Sequence, residues 1–170
     1  VPTPAPGAHI DPQLAKLFEL GMPQLHGWTP PIAPIISKKA LVDESAATLT
    51  GAVCIVYVSN ENRVCRYTFP APTHLCFPDA LTWMGIYVSM TARRRPQRIS
   101  VMIDNGHGYN VTQGHHIDRV PGHLYPYVMA IREQILAGKL YVGLVSRTYH
   151  GMELCDEGVR IARLQAARRG

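Results

Sequence analysis

Apolar and polar positions change period along this chain, and the changes mark its elements. Residues 51–59 (GAVCIVYVS) are β-branched and small apolar residues and predict a strand. Asn60, Glu61 and Asn62 carry turn chemistry, and residues 63–69 (RVCRYTF) alternate as a returning strand. Upstream, residues 38–45 predict a first strand in which Ala40, Leu41 and Val42 give way abruptly to Asp43, Glu44 and Ser45.

Beyond residue 70 the period lengthens. Pro78 suits the first turn of a helix running to about residue 91, with Asp79 in that turn. Leu81, Trp83, Met84, Tyr87, Val88 and Met90 give it a wide apolar face. Arg93, Arg94 and Arg95 follow where cations favour a helix C-terminus, and Pro96 stops it. Residues 99–103 (ISVMI) predict a strand buried on both faces, running into Asp104 and Asn105. Residues 106–122 are rich in glycine and histidine and show no clear element. A helix is expected over 123–137, closed by Gly138. A buried strand follows over 140–145 (LYVGLV), then a loop over 147–151. The last helix spans 154–167 and is opened by Asp156.

The predicted order is β-β-β-α-β-α-β-α, an α/β fold with a mixed five-stranded sheet and parallel pairing in its second half. Residues 1–37 read differently. Pro2, Pro4, Pro6, Pro12, Pro23, Pro30, Pro31 and Pro34 forbid a long helix or a central strand. One short helix over 11–20 is compatible with Asp11 as N-cap and Gly21 as stop. The stretch reads as a connector, leaving 38–170 as the domain.

Composition narrows the class. With 170 residues, 46% hydrophobic and 17% charged, the chain suits one soluble globular domain. No apolar run approaches membrane-spanning length, and the opening VPTPAPGAHI lacks the regions of a signal peptide. The missing initiator methionine suggests a fragment or a processed product. Cys54, Cys65, Cys76 and Cys155 form no metal-ligand spacing and read as reduced core thiols of an intracellular protein, cytoplasmic or nuclear. The formal charge of +5 is concentrated in arginine clusters at 93–98 and 160–169, which suit phosphate binding.

The acids carry the candidate chemistry. Asp43 ends the first strand and Asp104 the fourth. If these strands are parallel neighbours, both carboxylates emerge at the edge where α/β sheets bind ligands. Asp79 and Asp156 open helices that enter from that region. Converging carboxylates repel one another, and hard divalent ions relieve the repulsion. A pair of such ions serves phosphoryl transfer.

This order, with acids at these places, resembles ribonuclease H. The closer likeness is to the ribonuclease H domains of reverse transcriptases from hepadnaviruses and from tyrosine-recombinase retrotransposons of the DIRS/VIPER type. The residues that carry it are LVDESAAT (41–48), TFPAPTHL (68–75), FPDAL (77–81), MIDN (102–105) and LYVGLVSRTYHGMELCD (140–156).

The resemblance implies a metal-dependent endonuclease that cuts the RNA strand of RNA–DNA hybrids with two Mg2+ or Mn2+ ions. It makes Asp43, Asp79, Asp104 and Asp156 the catalytic and metal-binding residues. Ser45, Asn105, His150, Arg93 and Arg94 become candidates for substrate binding. Glu44 and Glu157 are expected to be solvated neighbours. An upstream reverse-transcriptase domain in the same polyprotein would precede the connector. Two positions depart from the family: its second acid is normally glutamate where this chain has Asp79, and its Trp-Gly or Gly after the first acid is replaced by Leu49, Thr50 and Gly51. The shorter Asp79 implies a weakly held second ion. The alternatives are a catalytically degenerate nucleic-acid-binding scaffold and a DNA nuclease of the same fold.

Overall fold

The strand that ends in acids lies at the middle of the sheet. The computed structural model describes residues 28, 30–46, 50–72, 77–93 and 97–169. In it β1 (Lys39–Ser45) pairs antiparallel with β2 (Thr50–Val58) on one side and parallel with β4 (Ile99–Ile103) on the other. β3 (Val64–Pro72) joins β2 antiparallel, and β5 (Leu140–Leu144) joins β4 in parallel. The result is an α/β chain with a mixed sheet in the order β3-β2-β1-β4-β5. The α-helices among the described residues are α1 (Pro78–Met90), α2 (Gly106–Thr112), α3 (Tyr125–Leu136) and α4 (Met152–Arg169).

Side-chain alternation along β1 and β2 divides the core. Val42, Val53 and Ile55 face a large cluster with α1 and α3, while Leu41, Cys54 and Val56 face a smaller one with Met152, Cys155 and Val159 of α4. Helix α4 lies chiefly over β1, β2 and β3. For that reason the second half of the sheet is less covered than the apolar runs predict. Ser100 and Met102 of β4 are only half-buried, and Tyr141 and Leu144 of β5 are exposed. The sequence reading of two strands buried on both faces is corrected here. An apolar run states that a residue can be buried, not that a helix reaches it.

Three further differences have local causes. β3 runs on through Pro70 and Pro72, because an edge strand tolerates residues without an N–H. Helix α2 falls in the glycine- and histidine-rich segment; Asn105 caps it by accepting from the Gly108 N–H at 3.0 Å. Only Gly108, Val111 and Thr112 of its seven residues are buried, too few to set a period. Helix α4 starts at Met152, with Glu153 rather than Asp156 in its first turn. Glu153 Oε2 accepts from the Gly151 N–H at 3.1 Å, and Gly151 at φ +101 makes the turn into the helix.

Three residues of the described part of the proline-rich stretch, Trp28, Ala33 and Ile35, enter the core. Ala33 and Ile35 are fully buried, and Trp28 packs 6.4 Å from Phe69 and 5.3 Å from Tyr127, centroid to centroid. The expected helix over 11–20 lies outside the described residues. None of the described helices is long and apolar enough to cross a membrane.

What matters most for the site is how closely α1 approaches the sheet. Every residue from Ala80 to Met90 is buried, and a Cβ on Gly85 would lie 2.4 Å from Val42 Cγ1. The buried hydroxyls of Thr82 and Ser89 are satisfied by carbonyls one turn back, at 3.1 and 2.8 Å. The start of α1, and Asp79 with it, is thereby fixed against the end of β1.

Candidate active site

Outside the carboxyl ends of β1 and β4 lies a cleft of about 680 Å³. It is lined by Asp43, Glu44, Asp79, Asp104, Asn105, Arg147, Glu153 and Asp156, with Pro78, Gly106 and Met152. All four aspartates singled out in the sequence reach this one place. They do not reach it equally.

The tight group is Asp43, Glu44 and Asp104, whose carboxylate oxygens lie within 4.8 Å of one another. Asp43 and Asp104 arrive together because β1 and β4 are parallel and in register, with Val42 opposite Ile103. Glu44 arrives from the other face of the sheet. It shares the parity of Val42, so its side chain lies on the α1 side, where the nearby Thr82 hydroxyl opposes the upward push on its carboxyl. The expectation that Glu44 is a solvated neighbour is thus overturned. Its alternating position on a strand pointed away from Asp43, and the two meet because pairing with β4 stops at Val42, leaving that side of both residues open.

Charge accumulates in this group. Burial, reinforced by Asp104 and Asp156, pushes the Asp43 carboxyl up to about 6, against the Glu44 N–H that donates to it at 2.9 Å. Burial and the adjacent Asp43 push Glu44 up to about 8. Asp104 is also raised, by burial first and by Asp156, with Arg147 opposing. Three oxygen-donor side chains whose ionisation is disfavoured by each other's presence suit a hard divalent cation such as Mg2+ or Mn2+. The donor set fits such an ion: it holds carboxylates and neither thiol nor imidazole.

Asp79 is engaged elsewhere. Its Oδ1 accepts from Asn105 Nδ2 at 2.8 Å, and its Oδ2 lies 2.5 Å from His107 Nδ1. Asn105 Nδ2 also donates to Thr82 Oγ1 at 3.2 Å. Asn105 therefore ties the end of β4 to the start of α1 and caps α2 at the same time. Asp156 stands at the exposed rim, one turn from Arg160, whose guanidinium is 2.9 Å from its carboxylate. Glu153, which the sequence did not single out, lines the cleft from the first turn of α4.

The remaining candidates are scattered. Ser45 Oγ accepts from Arg163 of α4 at 3.3 Å. His150 is exposed, and the loop residue that lines the cleft is Arg147 instead. Arg93 follows the far end of α1, roughly 20 Å from Asp79 at 1.5 Å per helical residue; its N–H donates to Ala33 O at 2.9 Å. Arg94 lies outside the described residues. The signal that could have found Glu44 is its place in the pair Asp43–Glu44 at a strand end; the signal for Arg147 is its position just past β5.

No family profile matches the chain, and no curated protein matches it either.

Proposed function

We propose that the chain is a metal-dependent nuclease of the ribonuclease H kind that hydrolyses the RNA strand of RNA–DNA hybrids. The observation that carries this is the convergence of Asp43, Glu44 and Asp104 within 4.8 Å, in a cleft outside parallel strand ends. The mixed five-stranded sheet with its acidic strand at the centre is compatible with that fold.

In this reading Asp43, Glu44 and Asp104 hold the cation, and Asp156 adds negative charge at the rim. When bound, one such ion or a pair supplies water activation and leaving-oxygen stabilisation to phosphodiester hydrolysis. The chain's own residues do the rest. Asn105 fixes the side chain of Asp79 and joins it to Thr82. Burial keeps the carboxylates partly desolvated, which strengthens their hold on a cation. Glu44 supplies the glutamate that the second acid of the family would have, from β1 instead of α1, while Asp79 positions Asn105 and His107.

The test is the purified chain with Mg2+ or Mn2+ and an RNA–DNA hybrid labelled on the RNA. Cleavage that Asp43→Asn and Asp104→Asn each abolish supports the reading. No cleavage by the parent, with no cation binding by calorimetry, sinks it. The engagement of Asp79 by Asn105 and His107 also favours a second reading, a binding scaffold without catalysis. Hybrid binding without any cation binding would select it.

A further inference from the structure

The cleft is lined by six carboxyl groups and, among the described residues, one cation, Arg147. A cleft of that charge repels a polyanion, and beside bound cations a fixed positive group at its edge lowers that repulsion. Arg147 is exposed, in the loop between β5 and α4, and forms no close ion pair with a described residue. The acid at the rim already has its own cation, since Asp156 pairs with Arg160 at 2.9 Å.

The loop holds Arg147 in place. The Val145 N–H donates to Ile103 O at 2.8 Å, which ties the chain just before the loop to the residue preceding Asp104. The Tyr149 N–H donates to Ser146 O at 3.0 Å, and Ser146 Oγ accepts from the Thr148 N–H at 3.2 Å, closing a turn around Arg147. Tyr149 is held in turn by Lys39 Nζ, which bonds its hydroxyl. The side chain is thus carried by a braced turn beside the carboxylates. Its charge is felt there: it opposes the upward push on both Asp43 and Asp104.

We propose that Arg147 is the phosphate-positioning residue of this cleft, its guanidinium taking non-bridging oxygens of the RNA–DNA hybrid backbone beside the cation-binding carboxylates. The planar fork of arginine suits a phosphate, and an unpaired guanidinium has its donors available for one. The inference rests on the functional reading above. It gives the 147–151 loop a role through Arg147 rather than through His150.

The experiment uses the full chain and a short labelled RNA–DNA hybrid with Ca2+ in place of Mg2+, titrated over a range of salt. Arg147→Ala is expected to raise Kd about tenfold at low salt and to lower the slope of log Kd on log salt by about 0.7–0.9. Arg147→Lys is expected to keep the slope and recover only part of the affinity, because a point charge lacks the fork. Arg63→Ala, at the hairpin tip, serves as a remote charge control. Equal hybrid binding and slope for parent and Arg147→Ala, with tighter cation binding by the variant, overturns the inference and leaves Arg147 an internal counter-ion of the carboxylates. A parent that binds no hybrid overturns the functional reading and this inference with it.

Discussion

Asp43 and Glu44 are consecutive on one strand and belong to opposite faces of the sheet, yet their carboxylate oxygens lie within 4.8 Å of each other. Both side chains turn over the end of β1, Asp43 from the α4 side and Glu44 from the α1 side. The third member, Asp104, comes from the neighbouring parallel strand. This arrangement brings a glutamate, and not Asp79, into the tight acidic group.

The first prediction separates these two acids. Glu44→Gln is expected to weaken Mg2+ or Mn2+ binding at least tenfold, whereas Asp79→Asn changes it less than threefold; both figures are on the order of one lost charged ligand against none. Calorimetric titration of the two variants checks it. The reverse ranking would return Asp79 to the cation and Glu44 to the background.

Protonation of the cluster gives a second. In the folded chain Asp43 is pushed up to about 6 and Glu44 to about 8, from ordinary values of 3.8 and 4.5. Between those values the folded state binds more protons than the unfolded chain, so stability falls as pH rises. The contribution is most favourable below about pH 4 and is lost progressively up to about pH 8. The metal-free parent should therefore lose more Tm than Glu44→Gln between about pH 5 and about pH 8. Added Mg2+ should restore more at the higher pH, where protons no longer compete for the carboxylates. Identical pH profiles for parent and Glu44→Gln would contradict this.

A trade between stability and binding follows from the same repulsion. In the metal-free protein at about pH 8, Asp43→Asn is expected to raise Tm by about 2–4 °C, the response of a chain this size to roughly 1 kcal/mol. The same variant should lose cation binding. Thermal melts with and without Mg2+ read both effects, and a lower metal-free Tm would show that Asp43 stabilises the fold through contacts other than its charge.

The seating of α1 is a packing matter. Gly85→Ala adds helix propensity, yet its Cβ would meet Val42 Cγ1 at 2.4 Å and Val53 Cγ1 at 3.0 Å. Overpacking should win, destabilising by about 1–3 kcal/mol and shifting the start of α1, with Asp79 of the cleft and the buried Thr82, relative to Glu44. Denaturant unfolding measures the first effect and cation titration the second. A more stable Gly85→Ala would show that α1 can lift off the sheet at little cost.

Tyr127 offers a control away from the site. Its hydroxyl is buried without a hydrogen-bond partner among the described residues, and burial pushes its pKa up to about 12. Tyr127→Phe removes an unsatisfied polar group while keeping the ring that packs on Trp28 and Tyr87. A gain of about 1 kcal/mol is expected, with cation binding unchanged. A loss would point to a bound water serving that hydroxyl.

What the sequence determined by itself was local. Periodicity located β1, β2, β4, α1 and α3, because a side chain's face follows directly from its spacing along the backbone. Proline and glycine marked most of their ends. It also marked the four aspartates, because a charge at the end of an apolar run is visible in one dimension. Only the tertiary structure decided what those charges meet. Parallel pairing of β1 with β4 joined Asp43 to Asp104 across about 60 residues of chain, the packing of α1 turned Glu44 into a member of the group, and Asn105 with His107 drew Asp79 aside. Alternation predicts that Asp43 and Glu44 diverge; they converge where pairing with β4 has stopped at Val42 and Ile103, which leaves both residues paired to β2 alone and open on the β4 side. Distances of a few ångströms between carboxylates depend on how strands and helices pack, and no spacing along the chain encodes them.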